Sequence, residues 1–281
     1  MNQSEQSAHP LSINQQTFNW KNGRQWFDQG VMTFKKIKSY WYLACLLLLV
    51  MATLVMQFLP VLVFVVMLVF SPLLTAFIMA LCQQSKNQQG VNLAAARADV
   101  LKVFNQLVVL GVLTALLSVL FQLIHNQLLL LLGLPVEVTE QMVQTMPGKE
   151  AFVRVMVALL TNLPVALAMA FAPVLVLYHA QLPWKAMQWS VAGVLSAWRA
   201  FLALTVMFIL MTFAVIVLAS LMISLLMMVM GTASAMVVNL VIMFAMVTLL
   251  GVGLCAQYHA YLDIYIATNE PTDGTEIYTE I

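Results

Sequence analysis

Charge is what this sequence has least of. Only 8% of its 281 residues are Asp, Glu, Lys or Arg, against about a quarter in a water-soluble domain. Hydrophobic residues make up 63%, and the mean hydropathy is +0.94. So small a polar complement excludes a soluble, disordered or collagen-like chain and places it in a bilayer. Reactive motifs are missing too: there is no HExxH, GxSxG, phosphate-cradling glycine loop or CxxC, the patterns that mark common metal, acyl-transfer, nucleotide and redox sites. Cysteine is scarce, and Cys45, Cys82 and Cys255 lack metal-ligand spacing, so they read as packing residues. No catalytic residue, metal, cofactor or nucleic-acid partner is expected.

What is present is long apolar sequence. Charged side chains are absent from Ser39 to Ser85, Val103 to Val136, Val155 to Trp184 and Ala200 to Leu262. About 20 helical residues cross a hydrocarbon core, so the first and last gaps each hold a hairpin. Six spans follow, near Tyr40–Phe58, Val61–Leu81, Leu107–Ile124, Met156–Tyr178, Phe201–Met228 and Ala235–Tyr258. The hairpins should turn at Gln57–Pro60 and Gly231–Ser234, where proline or small polar residues interrupt the apolar runs. Helices are required because lipid cannot satisfy free backbone groups, and no ten-residue alternation suggests a barrel.

The cations then set an orientation. With a cytoplasmic N-terminus, Lys21, Arg24, Lys35, Lys36, Lys38, Lys86, Arg97, Lys102, Lys185 and Arg199 fall inside, and Lys149 and Arg154 outside. That asymmetry puts both termini in the cytoplasm. Residues 1–17 have no apolar core or cleavage site, so no secretory signal is expected and the first span reads as an uncleaved anchor. The expected organisation is a disordered cytoplasmic N-terminus (1–17), an all-α polytopic six-helix bundle (18–266) and an acidic cytoplasmic tail (267–281). Between Glu137 and Met146 a short outer-surface helix is expected, from Val138, Met142 and Met146 at spacing four.

A repeat lies between the spans. Gln25-Trp26-x-x-x-Gly30-Val31-Met32-Thr33-x-x-Lys36 aligns with Gln188-Trp189-x-x-x-Gly193-Val194-Leu195-Ser196-x-x-Arg199, and Val100 to Phe104 matches Val31 to Lys35 loosely. Three parallel units, each an amphipathic helix followed by a hairpin, account for this. In the first copy Trp26, Phe27, Gly30, Val31, Phe34 and Ile37 share a face, opposite Arg24, Asp28, Lys35 and Lys36. Such a helix is expected to lie among headgroups with its cations toward anionic lipid. The expected lipid-interface residues are Trp26, Lys35, Lys36, Lys38, Trp184, Lys185, Trp198 and Arg199.

Several stretches carry a family resemblance: Trp20-x-x-Gly23-x-x-Trp26-x-x-x-Gly30-x-x-x-Phe34, Ser71-Pro72, Phe171-Ala172-Pro173-Val174-x-x-x-Tyr178-His179-x-x-x-Pro183-Trp184-x-Ala186-Met187, and Tyr261-x-Asp263-Ile264-Tyr265. They resemble a family of uncharacterised six-helix proteobacterial inner-membrane proteins, itself distantly similar to the membrane domain of some glycerophosphodiester phosphodiesterases. The resemblance covers nearly all of 18–266. It implies a bacterial inner-membrane location and a role near phospholipids, and it transfers no catalytic residue.

Two further sites are candidates. Tyr178, His179, His259, Asp263 and Tyr265 should lie near cytoplasmic helix ends as a polar cluster. Asn162 and Pro164, with Pro173, interrupt the fourth span and could line a cavity. No span carries a charged group at its middle, which argues against ion-coupled transport. The expected function is non-enzymatic, in cell-envelope integrity or lipid homeostasis, through anionic membrane lipids, a membrane-protein partner or a second copy. The alternative is an uncoupled or weakly coupled permease for an apolar or amphipathic small molecule.

Overall fold

The structure is a computed structural model and describes residues 12–14, 16–58, 60–86, 91–136, 138, 142, 146–230 and 233–266. Among these there is no strand. The α-helices are α1 (Trp20–Phe58), α2 (Pro60–Gln84), α3 (Leu93–Lys102), α4 (Phe104–Leu131), α5 (Gly148–His179), α6 (Pro183–Ser196), α7 (Trp198–Met230) and α8 (Ala233–Tyr261). A π-helical turn, Leu262–Ile266, ends the series. The expected outer helix at 137–146 falls largely outside the described residues, as does the acidic tail.

Five helical stretches are long and apolar enough to cross a bilayer: Trp20–Gln57, Phe104–Leu131, Gly148–His179, Trp198–Met227 and Val237–Tyr265. The further span expected at Val61–Leu81 lies within the 25-residue α2. Both expected hairpin turns coincide with helix ends. Helix α1 stops at Phe58 and α2 starts at Pro60, while α7 stops at Met230 and α8 starts at Ala233. Proline suits a first helical position because its missing N–H would have had no partner there.

One boundary differs from expectation. The first amphipathic segment is not a separate helix lying flat; it runs without a break into the first span as the 39-residue α1. Its run Phe34-Lys35-Lys36-Ile37-Lys38-Ser39-Tyr40 contains no glycine, proline or capping turn, so nothing stops the helix between the basic segment and the apolar one. The other two basic segments do end. Val103 separates α3 from α4, and Ala197 separates α6 from α7.

Local chemistry accounts for the remaining ends. Asn92 caps α3 by accepting the Ala95 N–H at 3.0 Å. At the end of α4, Gly133 has φ +70° and the Leu134 N–H reaches back to the Leu129 carbonyl at 2.9 Å, a Schellman closure. Helix α5 ends in the left-handed Ala180, φ 47°, before Pro183 opens α6.

The chain forms two compact units: Met1–Met51 with Phe77–Asp99 and Ala192–Ile281, and Ala52–Ala76 with Val100–Val191. In the second unit α4 packs against α5. The Thr114 hydroxyl reaches the Met169 sulfur at 2.9 Å and His125 Nδ1 lies 3.2 Å from the Thr161 hydroxyl, so the two helices run antiparallel. Thr161 gives its own proton to the Val157 carbonyl at 2.8 Å, which leaves His125 Nδ1–H as donor. Gly111 faces the backbone of Val69, where a Cβ would lie 2.8 Å from Cα.

In the first unit α8 runs antiparallel to the first half of α1. Gly30 lets α1 approach Ala256, since a Cβ there would lie 2.7 Å from the Ala256 nitrogen. Further along, Trp41 Nε1 donates to the Val247 carbonyl at 2.9 Å beside Gly251, where a Cβ would come within 2.8 Å of that same Nε1. Tyr42 stacks on Phe244 with centroids 4.8 Å apart and shares a 2.8 Å hydrogen bond with Thr248. Gly23 fits against Ala200 and Ala203 of α7. Small residues let helix backbones come close where lipid offers no hydrophobic drive between helices.

Candidate functional site

The densest polar and aromatic cluster of the first unit gathers around the last turns of α8. Two tight hydrogen bonds join it to α1: Trp26 Nε1 donates to Asp263 Oδ2 at 2.6 Å, and the Thr33 hydroxyl lies 2.8 Å from His259 Nε2. Trp26 and Thr33 are two helical turns apart, and His259 and Asp263 one turn apart, so the two pairs rise on facing surfaces of antiparallel helices. The π-turn displaces the last residues from the ladder and leaves carbonyls to be satisfied. Asn14 does so, with its N–H to Ile264 O at 2.8 Å and its side-chain amide to Asp263 O at 3.2 Å. Asn14 was expected in a disordered N-terminus; the free carbonyls of the π-turn tie it down instead.

Aromatic rings close the cluster. Trp26 packs between Phe18 and Phe201, at centroid distances of 5.8 and 5.5 Å. Tyr258 and Tyr261 of α8 and Tyr265 of the π-turn form a buried column, with successive centroids 6.4 and 5.6 Å apart. The Tyr265 hydroxyl sits against Gly193, which has no Cβ to obstruct it. Thus Gly30 faces α8 at Ala256, and Gly193 faces the π-turn that follows it at Tyr265.

At the end of α2, Lys86 lies over the Tyr258 ring at 5.5 Å. Desolvation pushes its ammonium below the ordinary lysine range, and the Asp263 carboxylate partly restores it. Lys36 crosses from α1 to the Ser85 carbonyl at 3.2 Å, a cation at the negative end of α2.

The residues expected as a lipid interface divide. Lys35, Lys36 and Lys38 are exposed, as are Trp184, Lys185, Trp198 and Arg199. The Arg199 guanidinium covers the Trp198 ring at 5.4 Å. Trp26 does not belong with them: it is fully buried and its indole N–H is held by Asp263. The apolar stripe of α1 is covered by protein because Gly23 and Gly30 admit α7 and α8 to within backbone contact. Replacing Trp26 by Phe should keep the ring packing yet cost about 2 kcal/mol, because Asp263 loses a charge-assisted partner. Chemical unfolding of the purified protein checks this; a loss below about 0.5 kcal/mol would mean the bond contributes little.

Of the expected polar cluster, His259, Asp263 and Tyr265 fall in this unit, while Tyr178 and His179 close α5 in the other. Among the described residues no three His, Cys, Asp or Glu side chains gather as metal ligands. The expected cavity residues are spread over α5. Asn162 is exposed and gives its amide to the Ala158 carbonyl of its own helix at 2.8 Å, Pro164 is half-buried and Pro173 is buried.

Three residues, two in this unit and one in the other, carried no sequence signal of the contacts they make. Thr33 and Lys86 gain meaning only from α8. Ser190 is fully buried in α6, accepting the Phe171 N–H at 2.8 Å and donating to the Leu167 carbonyl at 2.7 Å. Comparison with known protein families, characterised proteins and solved structures finds no match to this chain.

Proposed function

We propose that the protein is a non-enzymatic, multi-pass protein of the bacterial inner membrane that organises inner-leaflet lipid or holds a membrane partner, serving envelope integrity or lipid homeostasis. It has six spans, α2 supplying the sixth, and both termini in the cytoplasm. The observation that carries this reading is the exposed basic edge of α1. Lys35 and Lys38 stand in the open on a helix whose other face is buried, and the exposed Lys36 also reaches the Ser85 carbonyl. Trp198 with Arg199, and Trp184 with Lys185, add the pairing of indole and cation common at membrane borders. The polar groups nearest the last helix are engaged with one another, as Trp26 with Asp263 and Thr33 with His259, which suits a structural brace.

Each lysine near an anionic surface contributes about 1 kcal/mol. Replacing Lys35, Lys36 and Lys38 together by Gln should therefore weaken anionic-lipid binding by on the order of a hundredfold. Titrating phosphatidylglycerol into the detergent-solubilised protein measures it, with Lys149→Gln as the opposite-face control. Undiminished binding in the triple variant would remove the basis for an inner-leaflet role. The second reading, a permease for an apolar or amphipathic small molecule, draws on Pro164 and Pro173 inside α5, each of which removes one helical hydrogen-bond donor.

A further inference from the structure

Two of the three cysteines meet. Cys82, near the end of α2, and Cys255, in α8, are 173 positions apart in sequence, yet their sulfurs are 3.5 Å apart and both residues are fully buried. The sequence offers no spacing that pairs them, and packing alone does not require sulfur to face sulfur. A disulfide needs an S–S separation of about 2.05 Å. Closing the pair takes a movement of about 1.5 Å between the sulfurs.

We propose that Cys82 and Cys255 are a modification site: a dithiol that a small uncharged peroxide oxidises to a disulfide, fastening the end of α2 to α8. One sulfur attacks the peroxide O–O bond, becomes a sulfenic acid and releases one water. The second sulfur then displaces the sulfenic oxygen, forming the S–S bond and releasing a second water. Two electrons pass from the thiols to the peroxide, and both thiol protons leave in water. Burial selects the oxidant. Hydrogen peroxide can enter a closely packed helix contact, whereas glutathione disulfide, large and charged, cannot.

The bond would act on the cluster already described. The Ser85 hydroxyl holds the Cys82 carbonyl at 2.7 Å, Lys36 holds the Ser85 carbonyl, and Lys86 leans on Tyr258. Oxidation therefore clamps the segment bearing Lys86 to the helix that bears Tyr258, His259 and Asp263.

The test uses the full chain in lipid nanodiscs, with and without Cys45→Ser. After hydrogen peroxide treatment the protein is denatured in N-ethylmaleimide, digested and weighed. The expected result is a Cys82–Cys255 linked peptide in most molecules, reversed by dithiothreitol, lost in Cys82→Ala and in Cys255→Ala, and not produced by glutathione disulfide. Should either variant fail to fold, the unsubstituted chain still decides the matter, because the link should form in folded protein and not in protein unfolded before oxidation. Full alkylation of both cysteines after peroxide, or separate oxidation of each to sulfinic acid, would overturn the proposal.

Discussion

Replacing Ser190 by alanine should destabilise the protein by about 1 to 3 kcal/mol, more than most serine truncations. The hydroxyl is fully buried and ties α6 to the backbone of α5, taking the Phe171 N–H at 2.8 Å and giving its proton to the Leu167 carbonyl at 2.7 Å. Pro173 lies two residues on: it has no N–H for the Met169 carbonyl, and its ring crowds the turn before it. Alanine at position 190 removes both bonds, each worth about 0.5 to 1.5 kcal/mol net.

A double-mutant cycle separates this account from simple packing loss. Pro173→Ala restores an N–H to the turn that Ser190 braces, so Ser190→Ala should cost less in that background. Unfolding of the four purified forms in mixed micelles gives the coupling. If Ser190→Ala costs the same with and without Pro173, the hydroxyl is not compensating for the proline.

The second large effect is expected at Gly30. Gly30→Ala should cost about 3 kcal/mol, because the new Cβ would lie 2.7, 2.8 and 2.9 Å from the N, Cα and Cβ of Ala256. Two of those three atoms are backbone and cannot rotate away, so α1 and α8 must part. Parting them lengthens the bonds from Trp26 to Asp263 and from Thr33 to His259, now 2.6 and 2.8 Å. Gly253 supplies the contrast. A Cβ there would meet only the Phe208 ring at an ordinary 3.6 Å, and alanine is the better helix former by about 1 kcal/mol, so Gly253→Ala should be neutral or stabilising. Thermal unfolding of both variants, followed by near-ultraviolet circular dichroism of the tryptophans, tests the pair. Equal effects at the two glycines would sink the argument that Gly30 is a point of backbone contact.

Features that depend on composition along the chain were legible in the sequence. Helix ends at Phe58 and Pro60, and at Met230 and Ala233, match the expected turns, because proline and small polar residues act locally. The face of α1 was legible as a stripe, but its environment was not. Periodicity identifies Trp26, Gly30, Phe34 and Ile37 as one side without distinguishing hydrocarbon from another helix, since both are apolar. For the same reason periodicity points Trp26 toward the headgroups, whereas its indole N–H serves Asp263. Ser190, Thr33 and the Cys82–Cys255 pair were illegible because their partners lie 19 to 226 positions away. A hydroxyl or thiol shows no preference until the partner is known.

The unbroken course of α1 has a mechanical consequence. At 1.5 Å per residue, its 39 residues form a rod of about 58 Å, nearly twice the hydrocarbon thickness. Whatever leans one end of a stiff rod leans the other. If a thinner bilayer tilts the apolar half by about 10°, a rigid arm of about 28 Å carries Trp20 sideways by roughly 5 Å. The helix breaks found at Val103 and Ala197, which separate the other two basic segments from the helices that follow, are absent here. Movement of the apolar half is thereby passed along the helix to Trp20.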